Sequence, residues 1–280
     1  MDYQWYPGHM AKAKRQMQED LKVIDCVIEI LDARIPLSSK NPDIDRMAEK
    51  KARVLILNKA DLADDKRTAE MKRMYEEKGF FVNAVNSRNA EGIKGTVDVI
   101  RSACSEKIER DLRKGIKNRP IRAMIAGVPN SGKSTFINAL SGRNCVKTGN
   151  KPGVTKGRQW VRLSKDVEFL DTPGILWPKF EDQTVGLKNA LIGSINDEIL
   201  FPEELAYELI KIIRVRYPSV LEARYEIEGL EAIDDINEIV AKIAIKRGCI
   251  KKRAGADNEK ASKLIINEFR EGRLGKLTLD

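Results

Sequence analysis

Residues 54–61 read VLILNKAD, an apolar, β-branched run closed by an Asn-Lys-x-Asp tetrapeptide. The run has the composition of a strand buried on both faces, as strands of parallel sheets are. Residues just beyond the carboxyl end of such a strand are where open α/β sheets bind ligands. Asp61 can accept two hydrogen bonds from a base edge carrying adjacent N–H and amino donors, which guanine has and adenine lacks. Lys59 would then lie along the base, and Asn58 would tie this loop to a neighbouring one. Four residues can match by accident, so the rest of the chain must supply what the tetrapeptide needs.

A second stretch does so. GVPNSGKS, residues 127–134, fits G-x-x-x-x-G-K-[ST] and stands between the strand pattern IRAMIAG and a helix. Gly127 and Gly132 let the backbone wrap a phosphate, and the helix N-terminus favours negative charge. Asn130, Ser131, Gly132 and Thr135 belong to the same nucleotide-holding turn. Lys133 is expected to bridge β- and γ-phosphates as a binding and catalytic cation, and Ser134 to ligate Mg²⁺. A plain glycine turn entering a helix would not require the Lys-Ser pair. DTPG, 171–174, closes the strand pattern DVEFLD. There Asp171 can hold Mg²⁺ through water, and the Gly174 N–H can meet the γ-phosphate. Between the two lies KPGVTKG, whose Thr155 is the candidate switch threonine for Mg²⁺; an ordinary surface turn is the alternative. NAVNS, 83–87, ends the strand after NKAD, and Asn86 and Ser87 are the candidates to meet guanine O6, although the usual Ser-Ala-Lys is missing.

The order of these parts is unusual, because Ras-like chains carry the phosphate loop first. A circular permutation reconciles it: strands ending on one side of a parallel sheet build one site whatever their connectivity. Helix patterns at 11–20, from Asp64 or Asp65 to Gly79, at 93–104 and through about Leu140 alternate with strand patterns at 23–31, 53–58, 80–85, 121–127, 158–164 and 166–171. That alternation predicts an α/β fold: a circularly permuted Ras-like P-loop domain with about six strands in a mostly parallel sheet. The charged stretch 105–120 reads as the new joint. After Trp177 and Pro178 only helical spacing persists, so residues 1–182 are read as the nucleotide domain and 183–280 as an all-helical domain.

The 280 residues, 42% of them hydrophobic, suffice for a sizeable core. The net charge of +9 points to a polyanionic partner. Its surplus gathers late in the chain, where Lys246, Arg247, Lys251, Lys252, Arg253, Lys263 and Arg270 are candidates for RNA phosphates; a solvated helix face is the alternative. Few aromatics accompany them, which favours backbone over stacking contacts. The four cysteines form neither a CxxC pair nor a histidine cluster, so no zinc site or disulfide framework is indicated. With no signal-like start and no run of eighteen apolar residues, the expected location is the cytoplasm, without membrane or DNA partners.

WYPGHMAKAK (5–14), LDARIP (31–36), and the order NKAD, GVPNSGKST, PGVTKG, DTPG followed by a helical region resemble the circularly permuted GTPases of bacterial ribosome assembly. The resemblance covers essentially the whole chain. It implies late maturation of the large ribosomal subunit, binding to its rRNA, and GTP hydrolysis to GDP stimulated by that subunit. It implies that Asn130 helps hold a K⁺ ion; a turn-forming asparagine is the alternative. Ile175 follows DTPG where Ras-like enzymes place a water-orienting glutamine. An isoleucine cannot bond water, so slow intrinsic turnover is expected. The resemblance makes His9, the chain's one histidine, the leading candidate to orient or deprotonate that water, against a packing or rRNA-contacting role. A competing reading is an RNA-binding assembly module whose nucleotide site is filled but hydrolytically idle. A P-loop kinase is disfavoured by NKAD.

Overall fold

Six strands form the main sheet of the computed structural model, which describes Tyr3 and residues 5–117, 119–146, 159–163, 165–251 and 255–280. They are β1 (Cys26–Asp32), β2 (Ala52–Asn58), β3 (Phe81–Val85), β4 (Ile121–Ala126), β5 (Gln159–Arg162) and β6 (Val167–Asp171). Their order is β3-β2-β1-β4-β6-β5, and only the β5–β6 pair is antiparallel. The apolar runs are central because both faces are covered: every residue of β1, including Glu29, is buried.

Position in this order explains how distant motifs meet. β1 lies between β2, which ends in Asn58, and β4, which feeds the phosphate loop. β6, which ends in Asp171, flanks β4 on its other side. The NKAD, GVPNSGKS and DTPG stretches thus leave the same carboxyl-end edge of one sheet. From β3 the chain returns past two strands to β4, through α4 (Thr96–Ala103) and α5 (Ser105–Arg113). That return is the joint a permuted Ras-like chain requires. The stretch 105–120, read as a mere joining segment, is helical over Ser105–Arg113; none of its residues is buried, and half-buried Ile108 is its contact with the core.

The remaining helices are α1 (Gly8–Asp20), α2 (Pro42–Met47), α3 (Asp65–Glu77), α6 (Lys133–Ser141), α7 (Gln183–Leu191), α8 (Pro202–Arg216), α9 (Val220–Tyr225), α10 (Ile236–Lys246) and α11 (Asn258–Arg270). Sequence sets several starts: Asp64 caps α3 through the N–H groups of Lys66 and Arg67, and Asn41 caps α2 with Pro42 behind it. Leu205, Leu209, Ile210 and Ile213 repeat at helical spacing along α8 and are all buried. Each such side chain contributes about 1.5–3 kcal/mol of transfer free energy. The late region is not purely helical, because β7 (Ile250–Lys251) and β8 (Gly255–Ala256) pair as a short ribbon.

One apolar cluster joins Met10 and Met17 of α1, Leu187 and Leu191 of α7, and Leu209 and Phe269 of the later helices. Residues after α11 return to the sheet: the Leu277 N–H donates to the Leu62 carbonyl at 3.0 Å and the Leu279 N–H to that of Arg34 at 2.8 Å. The Asp280 carboxylate accepts from the N–H groups of Leu37 and Ser38, the Ser38 hydroxyl and the Lys188 ammonium.

Candidate functional site

A cleft of about 940 Å³ opens at the sheet edge just described, lined by Asn58, Lys59, Asp61, Asn86, Ser87, Asn130, Gly132, Lys133, Ser134, Thr135 and Gly174, among others. Asn58 knits it together. Its Nδ2 donates to the Ser131 carbonyl at 2.8 Å, and its Oδ1 accepts from the Ser87 hydroxyl at 2.7 Å. The base-side and phosphate-side loops therefore share one buried amide. Lys59, in a left-handed conformation with φ 58°, sends Nζ to the Asn130 carbonyl (2.6 Å) and to Asp32 Oδ2 (2.9 Å). Asp61 follows in a 3-10 turn over Ala60–Leu62 and is half-buried on the cleft wall.

The phosphate loop is shaped by what a side chain would hit. Gly132 has φ +92°, and a Cβ there would stand 2.3 Å from Asn58 Nδ2. At Gly174 a Cβ would meet Lys133 Nζ and the Pro129 backbone within 2.9 Å. Backbone thus approaches the Asn58 amide at Gly132 and the Lys133 amine at Gly174 only because both positions lack side chains. Lys133 is buried, and its Nζ donates to the carbonyls of Val128 (2.8 Å) and Gly127 (3.3 Å). Desolvation pulls its pKa down to about 8, with Asp171 opposing the shift and Lys59 adding to it. Desolvation likewise pushes Asp171 up to about 6, with Lys133 opposing.

Asp171 Oδ1 is buried and has no hydrogen-bond partner. A buried carboxylate oxygen left unsatisfied near Lys133, the residue before Ser134 at the start of α6, offers with the Ser134 hydroxyl a donor set that suits a hard oxygen-preferring cation. Residues and Mg²⁺ fit one another here. Thr155 lies outside the described residues.

Two readings change in detail. The Asn86 N–H is tied to the Glu91 carbonyl at 3.1 Å and the Ser87 N–H to Asn58 Oδ1 at 3.3 Å. Both amides are thus engaged within the chain. The N–H groups of Arg88 and Asn89, which converge on Asn86 Oδ1 at 3.0 and 3.3 Å, follow next in the loop. Ile175 is fully buried, its N–H on the Gly127 carbonyl and its carbonyl on Asn41 Nδ2. Where Ras-like enzymes present glutamine to water, this chain inserts a core residue.

His9 is exposed in the first turn of α1 and does not line the cleft; Trp5 does, with its ring edge-on to His9 at 6.2 Å between centroids. Among the candidate RNA contacts, Lys246, Arg247, Lys251 and Lys263 are exposed. Lys252 and Arg253 lie outside the described residues. Arg270 is spent inside the chain: Nε donates to the Leu191 carbonyl, Nη2 to that of Ala190, and both terminal nitrogens to Asp197 at 2.7 Å. Its place is the cleft wall, not a basic face. Proximity in sequence to the basic run concealed that, and the carbonyls it caps are some eighty positions away.

A mostly parallel sheet in this strand order, with the base motif ahead of the phosphate loop, defines a circularly permuted P-loop GTPase. The family described as "50S ribosome-binding GTPase" matches residues 122–238, beginning at β4 and so leaving out the NKAD turn. Ribosome biogenesis GTPase A of Bacillus cereus is 46% identical over 280 residues, covering 100% of this chain and 94% of the relative. Its counterpart in Priestia megaterium is 44% identical, covering 100% and 97%. The crystal structure of GNP-bound YlqF from T. maritima aligns with a TM-score of 0.69 at 29% identity, covering 96% of this chain and 97% of that one. The chain belongs to the ribosome biogenesis GTPase A family.

Proposed function

We propose that this GTPase binds the large ribosomal subunit through its rRNA, assists the subunit's late maturation, and hydrolyses GTP to GDP when the subunit stimulates it. The observation that supports this most is the single buried amide of Asn58, which holds a guanine-type base turn and a phosphate loop in one cleft, in a chain whose relatives are named for ribosome biogenesis. On this reading Asp61 reads the guanine edge, and Lys133 and the Gly174 N–H hold the phosphates. Ser134, Asp171 and Thr155 hold Mg²⁺. When bound, that ion supplies positive charge to the phosphate oxygens. K⁺ at Asn130 is part of the same proposal, and exchanging K⁺ for Na⁺ in the assay tests it. The two-unit division at 182/183 is likewise proposed.

Hydrolysis needs a water aligned on the γ-phosphorus, and a buried Ile175 cannot align it. His9 is proposed to do so. Its segment is placed to respond to the switch: the Tyr3 N–H donates to Gln183 Oε1 at 3.2 Å, and Tyr3 packs over Gly186 of α7. α7 is the first helix after DTPG, so a shift of the 171–182 segment on γ-phosphate contact carries the His9 turn with it. His9→Ala is expected to leave GTP affinity within about twofold of wild type while removing subunit-stimulated turnover. Stimulated turnover that survives the substitution would take His9 out of the mechanism.

The exposed Lys246, Arg247, Lys251 and Lys263 are proposed to meet rRNA phosphates. Lys246 and Lys263 have surface carboxylates as partners, Glu226 and Glu259, and such solvent-screened pairs are weak, so phosphate can displace them. The decisive assay compares GTP turnover with and without purified large subunits: unchanged turnover and no co-sedimentation would favour the idle-module reading.

A further inference from the structure

Asp32 and Arg34, in the LDARIP stretch after β1, carry charge yet are 0% and 1% exposed. They form a two-point ion pair: Arg34 Nε donates to Asp32 Oδ1 at 2.9 Å and Nη2 to Oδ2 at 2.8 Å. Burying two charges is costly, and a sheet needs no ion pair there, so what else they touch is informative. Asp32 Oδ2 also accepts Lys59 Nζ, the amine that reaches the Asn130 carbonyl. Arg34 Nη1 turns the other way, donating to the carbonyls of Phe269 and Arg270 at the end of α11, both at 3.2 Å, with the guanidinium over the Phe269 ring at 5.1 Å.

The path then closes on itself. The Arg270 side chain caps the end of α7 at Ala190 and Leu191 and pairs with Asp197. Gly193, just beyond α7, accepts from Asn130 Nδ2 at 2.6 Å, and the Ser194 hydroxyl donates to the Pro129 carbonyl at 2.6 Å. A ring of hydrogen bonds therefore runs from the base turn through Asp32, Arg34, α11 and α7 to the phosphate loop and back to Lys59. Arg34, Lys59, Asn130, Gly193 and Arg270 all line the cleft.

We propose that Asp32 and Arg34 are positioning residues of the nucleotide site: they fix Lys59 against the phosphate loop and tie it to the end of α11, so that guanine-nucleotide binding and the placement of α11 are coupled. This rests on reading the cleft as the nucleotide site. The coupling is reciprocal by linkage: whatever displaces α11 weakens nucleotide binding, and nucleotide steadies α11. Lysine cannot replace Arg34, because only the planar fork serves Asp32 with two nitrogens while a third reaches the helix carbonyls.

The test uses the full chain and a fluorescent GDP analogue, with hydrogen exchange followed over 258–273. In the wild type GDP is expected to slow exchange at the end of α11. Arg34→Met is expected to weaken GDP about tenfold and abolish that protection, with Arg34→Lys restoring little of either. Combined with Lys59→Met, it should add less than twofold to the effect of Lys59→Met alone, whereas independent structural damage would multiply. Asp197→Asn, at a side chain that is 62% exposed, is the variant that keeps the fold; it should reduce the protection over 258–273 and weaken GDP by less than Arg34→Met does. Multiplying effects in the double variant, or wild-type α11 exchange indifferent to bound GDP, would overturn the coupling. A wild type that binds no GDP would overturn the nucleotide-site reading itself, and the coupling with it.

Discussion

Lys133→Ala is expected to slow hydrolysis of bound GTP by about a hundredfold to a thousandfold, the loss typical of removing a donor aimed at developing transition-state charge. The size follows from how Lys133 differs from three other cations on the cleft wall. Arg34 and Lys59 are committed to Asp32, and Arg270 to Asp197. Lys133 Nζ instead rests on two carbonyls, Gly127 and Val128, bonds that a phosphate oxygen can replace with a stronger charge-assisted one. Desolvation, which lowers its pKa to about 8, marks an ammonium held at a cost until an anion arrives. Single-turnover hydrolysis of bound GTP measures the effect. A rate within threefold of wild type would show that another group neutralises the phosphates.

The same burial separates what was legible in the sequence from what was not. Motifs that act through local backbone geometry could be read: a glycine that must take φ +92°, a lysine and serine opening a helix, and an Asn-Lys-x-Asp at a strand end each announce themselves within eight residues. The alternation of strands and helices gave the sheet class, and the motif order required the permutation. Roles set by long-range packing could not be read. Arg34 sits in a stretch that looks like a turn, and its partners are Asp32 and carbonyls at 269 and 270. Arg270 sits in a basic run, and its partners are at 190, 191 and 197. Ile175 reads as a missing catalytic group; in the fold it is a buried anchor, bonded through its backbone to Gly127 and Asn41. The Ser87 N–H, read as a base donor, is instead taken by Asn58, which no spacing within NAVNS could reveal. The return of Leu277 and Leu279 to Leu62 and Arg34 has no periodic signal, because it is made of single backbone bonds.

Asp61→Asn is expected to exchange one base for another. Guanine offers N1–H and a 2-amino group, two donors that a carboxylate accepts in parallel, and losing such a pair in a site built for it costs about four orders of magnitude in discrimination. Xanthine keeps N1–H but carries a carbonyl at position 2. An asparagine matches it, with Oδ1 accepting and Nδ2 donating. GTP affinity should therefore fall by about a hundredfold or more in the variant, while XTP binding rises to within about tenfold of the wild type's affinity for GTP. The exchange is a clean one because the turn does not depend on the carboxylate. Lys59 in its left-handed conformation and the bond from the Leu62 N–H to the Lys59 carbonyl at 3.0 Å set the backbone, and Asn58 beneath holds both loops. Folding and phosphate binding should persist, so XDP and GDP competing for one fluorescent analogue report on the base alone. A variant that still prefers GDP to XDP would move base selection away from Asp61.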